Sequence, residues 1–223
     1  MRRIQILAIL AVFATLALGA PRASAAMFGA EVYGAFNTHS MEEVNNEIDA
    51  LNGLGANMNN INSGLTGGIN LRVSPIPSFM ISAGWEPLFL GTKDESGSNL
   101  EENLQTNVIS ATGAYFFPVP GPAKFGFGAG VGYYLLGGEV KDPNGVFSGG
   151  IPNNEDVTGH TAGFHVLGLA EFGVSPGFGI TAAAGYRNAK ITEFEVNGQT
   201  QNGDIDYSGF IGRVGLAFSI PGL

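Results

Sequence analysis

Alternation of apolar with polar or small residues, held over about ten positions, recurs eight times in this chain of 223 residues. A period of two sends successive side chains to opposite faces of an extended strand, so each segment has one apolar face. In 208–220, Ser208, Phe210, Gly212, Val214, Leu216, Phe218 and Ile220 share one face, and Gly209, Ile211, Arg213, Gly215, Ala217 and Ser219 share the other. In 124–136, Phe125, Phe127, Ala129, Val131, Tyr133 and Leu135 oppose Lys124, Gly126, Gly128, Gly130, Gly132 and Tyr134. The other segments are 27–37, 64–74, 78–87, 107–117, 160–174 and 178–190, with Ile109 and Leu167 blurring the contrast in two of them.

The links between segments alternate in kind. The second, fourth and sixth are short and marked by proline: Pro75-Ile76-Pro77, Pro118 to Pro122, and Ser175-Pro176-Gly177. The first, third, fifth and seventh are longer and polar, at about 38–63, 88–106, 137–159 and 191–206. An even number of strands with short turns at one end and long loops at the other is the plan of an antiparallel up-and-down transmembrane β-barrel, with both termini on the periplasmic side.

Aromatic residues on the apolar faces fall at two levels, as the two membrane interfaces require. Phe28, Phe79, Phe117, Phe125, Phe172, Phe178 and Phe218 lie toward the short turns; Phe36, Trp85, Tyr133, Phe164, Tyr186 and Phe210 lie toward the long links. Most pairs are eight residues apart, which for tilted strands spans roughly 20 Å, close to the height of an apolar band. The rival is a soluble eight-stranded barrel, which would turn the Arg72, Glu86, Arg187 and Arg213 face outward. Charge favours the membrane: charged residues are 13% of the chain, about half the roughly 25% of globular domains.

Residues 1–26 carry Arg2 and Arg3, an apolar run from Ile4 to Leu18, and Ala23-Ser24-Ala25. That order predicts a cleaved secretory signal, leaving 27–223 as a single barrel domain. The mature chain has 7 basic and 19 acidic residues, a net charge of -12. Such acidity argues against a nucleic-acid partner. With no cysteine, disulfides and thiolate metal sites are excluded.

The last strand, Tyr207-Ser-Gly-Phe-Ile-Gly-Arg-Val-Gly-Leu-Ala-Phe218, resembles the terminal assembly signal of outer-membrane barrels. The whole mature plan resembles the small outer-membrane barrels of Gram-negative bacteria, the OmpA-transmembrane, OmpX and OmpW-like group. That resemblance implies an eight-stranded barrel in the outer membrane, in contact with its lipids and lipopolysaccharide. It also implies recognition by the barrel-assembly machinery through the C-terminal strand, and a monomer. The group includes structural proteins, adhesins, small-solute pores and lipid-modifying enzymes.

The polar faces place Glu31, Arg72, Glu86, Lys124, His165, Glu171, Arg187 and Arg213 in the lumen. An eight-stranded barrel is just wide enough for side chains to fill, so these groups should pair into a plug; a proton or ion path is the alternative. Glycines at 126, 128, 130, 132, 185, 209 and 215 leave room either for a passage or bound chain, or for packing of Tyr33 and Tyr134. In the first long link, Ser40 and Glu43 read as a capping box. Met41, Val44, Ile48, Leu51 and Leu54 then recur at helical spacing, predicting an amphipathic helix over about 41–54 that caps or gates the barrel.

Catalysis has little support. His160 lies near Glu155, Asp156 and Thr158, but position 162 is Ala where a lipid-modifying barrel enzyme would carry Ser. The acidic runs in the loops have no fixed-spacing calcium pattern. The expectation is a non-enzymatic barrel without cofactor or metal. Its role is either a narrow pore or carrier for small or apolar solutes, or a closed barrel acting through acidic loops in adhesion or envelope stabilisation.

Overall fold

The computed structural model describes residues 27–53, 55–93, 101–142 and 153–221. Residues 1–26, expected to be a secretory signal, and Leu54 of the expected helix lie outside the described residues. Ten strands and one helix are present among the described residues: β1 (Met27–Thr38), α1 (Glu42–Gly53), β2 (Ser63–Ile76), β3 (Phe79–Lys93), β4 (Glu101–Phe116), β5 (Ala123–Asp142), β6 (Asn153–Ser175), β7 (Phe178–Asn188), β8 (Lys190–Val196), β9 (Gln199–Asp206) and β10 (Gly209–Pro221).

Eight of the strands form a closed antiparallel ring. β1 to β6 pair in sequence, β6 pairs β7, β7 pairs β10, and β10 returns to β1 from Met27↔Pro221 to Asn37↔Ile211. The seventh link is not the polar loop expected. β8 continues β7 past Ala189, β9 leads back into β10 through Tyr207 and Ser208, and the pair closes on an Asn197-Gly198 turn with both residues at positive φ. β8 also pairs β6 at Val157↔Val196 to Gly159↔Phe194. The third and fifth links are likewise largely strand, because β3 to β6 run past the two aromatic levels.

Alternation has its expected consequence in space. All thirteen girdle aromatics lie on the outer surface; Phe164 is 55% exposed, Trp85 45% and Phe28 38%, and only Phe178 falls into the half-buried range. Between the rings, Val32, Leu71, Val131, Val166, Val214 and Leu216 complete an exposed apolar band. So large a continuous apolar surface is a lipid-facing belt, since soluble monomers rarely expose more than a few hundred Å².

α1 begins at Glu42, one residue later than expected, and ends at Gly53. The capping box gives way to a tertiary contact: the Glu43 carboxylate accepts the backbone N–H of Asp204 in β9. The chain leaves the helix through Gly55, whose φ of 106° suits glycine. There the Ala56 N–H donates to Leu51 O at 3.1 Å.

Candidate functional site

The lumen divides into a polar half toward the short turns and an apolar half toward the long links. At the junction Glu86 of β3 is 3% exposed. It accepts hydrogen bonds from Tyr33 Oη (3.1 Å), Asn37 Nδ2 (3.0 Å) and Arg213 Nη2 (2.6 Å). Arg187 Nη1 stands 3.9 Å from Glu86 Oε1. The Arg213 guanidinium lies 4.7 Å from the Tyr33 ring centre, a cation–π contact.

Nearer the turns, Arg72 pairs with Glu171, and Lys124 Nζ lies 4.0 Å from the second Glu171 oxygen. Glu31 accepts Asn70 Nδ2 at 2.8 Å and Thr181 Oγ1 at 2.5 Å. His165 Nε2 is 2.8 Å from Thr112 Oγ1. The structure therefore places all eight charged or histidine residues of the polar faces inside the ring. Tyr33, Asn37, Asn70, Thr112 and Thr181 hydrogen-bond to them, and of these Asn37 and Thr112 gave no signal in the sequence.

The lumen glycines serve packing. A Cβ on Gly68 would lie 2.4 Å from Tyr33 Oη, and one on Gly130 2.6 Å from His165 Nε2. Bare backbone thus makes room for the two rings, which occupy the space a bore along these strands would need.

Above Glu86 the lining turns apolar. Met41, Val44, Ile48 and Leu51, with Met58 and Ile61 after the helix, pack against Leu88, Leu90, Leu104, Val108, Leu136, Val157, Ile191 and Ile205. Tyr134 and Tyr207 stack at 5.9 Å, and Tyr207 Oη is 2.6 Å from Thr106 Oγ1. His39, at the upper end of β1, is 7% exposed and meets Tyr207 edge-on at 6.2 Å. Burial, and secondarily the Arg187 charge, lower its pKa to about 4. On α1, burial and then the neighbouring Glu43 raise the pKa of Glu47.

The hydrogen-bonded ladder around this apolar half is incomplete on one side. β2 and β3 pair only from Ile76↔Phe79 to Ile69↔Trp85. Beyond that rung β2 pairs β1 alone and β3 pairs β4 alone. Pro87 explains the break. Its carbonyl accepts the Thr66 hydroxyl across the seam, so it points at β2, and an antiparallel residue presents its N–H on the same side as its carbonyl. Proline has no N–H to give. Leu65, 80% exposed, and Phe89, 57% exposed, flank the seam on the lipid side. Pro87, Leu65 and Phe89 were not singled out in the sequence, although a proline inside an alternating segment is the signal for an unpaired strand edge.

His160 faces outward, 5.8 Å from the Tyr133 ring. Among the described residues no cluster of His, Asp and Glu has the arrangement of a metal site.

No protein-family model matches the chain, and no curated protein matches it by sequence. Solved structures do match. The outer membrane protein OprG from Pseudomonas aeruginosa is similar with a TM-score of 0.59 at 9% identity, over 89% of this chain and 97% of that one. A major outer membrane protein from Thermus thermophilus is similar with a TM-score of 0.57 at 12% identity, over 87% of this chain and 99% of that one. Ring closure, apolar belt and these likenesses agree: the chain has the fold of the small outer-membrane β-barrel proteins.

Proposed function

We propose that this barrel carries small apolar solutes from the outside of the cell sideways into the outer membrane, through the seam between β2 and β3. The observation that carries the reading is the lost ladder above Ile69↔Trp85. An apolar solute in the upper lumen has no exit downward, because the Glu86–Arg213–Arg187 network would have to be desolvated and parted. The seam, by contrast, has no backbone ladder to part, and Leu65 and Phe89 on its outer side are apolar, chemically like both solute and lipid. α1 and the segment after it fill the chamber, so they act as the lid that a solute displaces.

In this reading the long links face outward and both termini face the periplasm. β10 is the strand read by the assembly machinery, and the barrel works as a monomer without catalysis.

The test uses the absence of native cysteine. Leu65 and Phe89 are opposite one another when the β2–β3 register is continued, so Leu65→Cys with Phe89→Cys places a disulfide across the seam. Locking the seam is expected to abolish uptake of an alkane-like fluorescent probe, and reductant to restore it. Uptake that persists with the seam locked would overturn the proposal.

A further inference from the structure

Above Ile69↔Trp85, where the ladder between β2 and β3 ends, the Thr66 hydroxyl donates to the Pro87 carbonyl across the seam. A second tie runs through the lid. The backbone N–H of Asn59, in the segment after α1, donates to Thr92 Oγ1 at 3.1 Å. Thr92 shares the buried face of β3 with Leu88 and Leu90 and is 8% exposed.

The lid carries that tie because α1 and its return segment are fastened into one piece. Residues 56–62 belong to no helix or strand, so their backbone groups need other partners. Asn52 serves both groups of Met58, accepting its N–H at 2.8 Å and donating to its carbonyl at 2.9 Å. Asn45 accepts the Ile61 N–H at 2.7 Å and donates to Asn62 Oδ1 at 3.0 Å. These two amides fix Asn59 relative to α1. The base of the piece is rooted in β2: the His39 N–H donates to Asn62 O at 2.8 Å, directly above the Thr38↔Ser63 rung. The lid thus grows out of one edge of the seam and is bonded to the other.

We infer that the Asn59–Thr92 hydrogen bond is a latch that makes the lid and the seam open together, so that a solute entering the chamber frees its exit by the same displacement. As a gate on uptake, the latch rests on the lateral-exit reading above. The coupling itself exists without solute and is measured without it.

Two readouts on the refolded chain in lipid vesicles provide the test. Amide hydrogen exchange in α1 reports the lid. Pulsed electron paramagnetic resonance between spin labels on Leu65→Cys and Phe89→Cys, both exposed on the lipid side, reports the seam. Thr92→Val removes the acceptor and should accelerate exchange in α1 about 5-fold, the size of one neutral hydrogen bond, while adding a longer component to the label distance. Thr92→Ser keeps the acceptor and should leave both readouts as in wild type. Ile48→Ala loosens the lid from within the chamber, where Ile48 is 1% exposed, without altering either edge of the seam; it should add the same longer component. Heat-modifiable gel mobility checks folding, and should Thr92→Val not fold, Ile48→Ala decides alone. A label distance that stays as in wild type while α1 exchange rises, or a folded Thr92→Val that moves neither readout, would overturn the latch. Uptake blocked by the locked seam but no coupling would remove the latch and keep the carrier; coupling with uptake through a locked seam would do the reverse.

Discussion

The two halves of the lumen are lined by the same strands yet are held together differently. The polar half is built from β-strand side chains alone and is fixed by charge-assisted hydrogen bonds that converge on Glu86. The apolar half is filled largely by a segment outside the ring, α1 and residues 56–61, and is fixed by side-chain packing. A network that shares one carboxylate among three donors and a second arginine fails when that carboxylate is lost. A packed segment with its own connections can lift away while the ring stays closed. As the proposed carrier, the molecule would combine a rigid floor with a separable lid.

The contrast is most exposed to test at Glu86. Glu86→Ala leaves Arg187 and Arg213 buried without their shared carboxylate, and it should cost about 3–5 kcal/mol in reversible unfolding of the whole barrel. If unfolding in urea from lipid vesicles shifts by less than about 1 kcal/mol, the floor is not the rigid element described.

Ile48→Ala removes buried volume from the lid, where Ile48 is 1% exposed. Truncations of this kind cost about 2–5 kcal/mol in a packed core, and here the low end of that range should appear as local opening. Amide hydrogen exchange should rise in α1 while β1 and β10 remain protected. Equal acceleration in both regions would mean that the lid and ring unfold as one unit.

The smallest effect is set by pH. His39 has a folded-state pKa of about 4, below its ordinary value of 6.5, so the unfolded or open form binds the proton more readily. Its contribution to lid closure is whole above pH 6.5 and falls progressively as pH drops toward 4. Glu47, raised by burial, acts in the opposite sense, so the His39 contribution is read in the upper part of that range, just below pH 6.5, and by its loss in His39→Gln. Exchange from α1 should increase across that window in wild type and stay flat in His39→Gln.

The ring was legible in the sequence because lipid imposes a strong rule: the residues that face it must be apolar, while their neighbours along the strand need not be. That rule identifies Phe125, Phe127 and Val131 as outward and Lys124, Gly128 and Gly130 as inward from spacing alone. It stops at the membrane surface. β8 and β9 stand beyond the belt, and in Gln199–Asp206 only Ile205 is apolar, so their pairing left no apolar alternation to read. Glu43 illustrates a second limit. Its local pattern with Ser40 fits a capping box, yet the Asp204 N–H, far away in sequence, was the better-placed donor. Pro87 was visible throughout, but its meaning depends on which neighbour its missing N–H would have faced, and only the register supplies that.

Zipping of β1 to β10 along eleven register pairs sets an order on how the protein can be made. The first strand of the domain waits for the last, so no partial chain can satisfy its own edges within hydrocarbon, where each unpaired backbone group costs several kcal/mol. Insertion and closure must therefore be nearly simultaneous, and a chain cut short before Gly209 would stay outside the membrane.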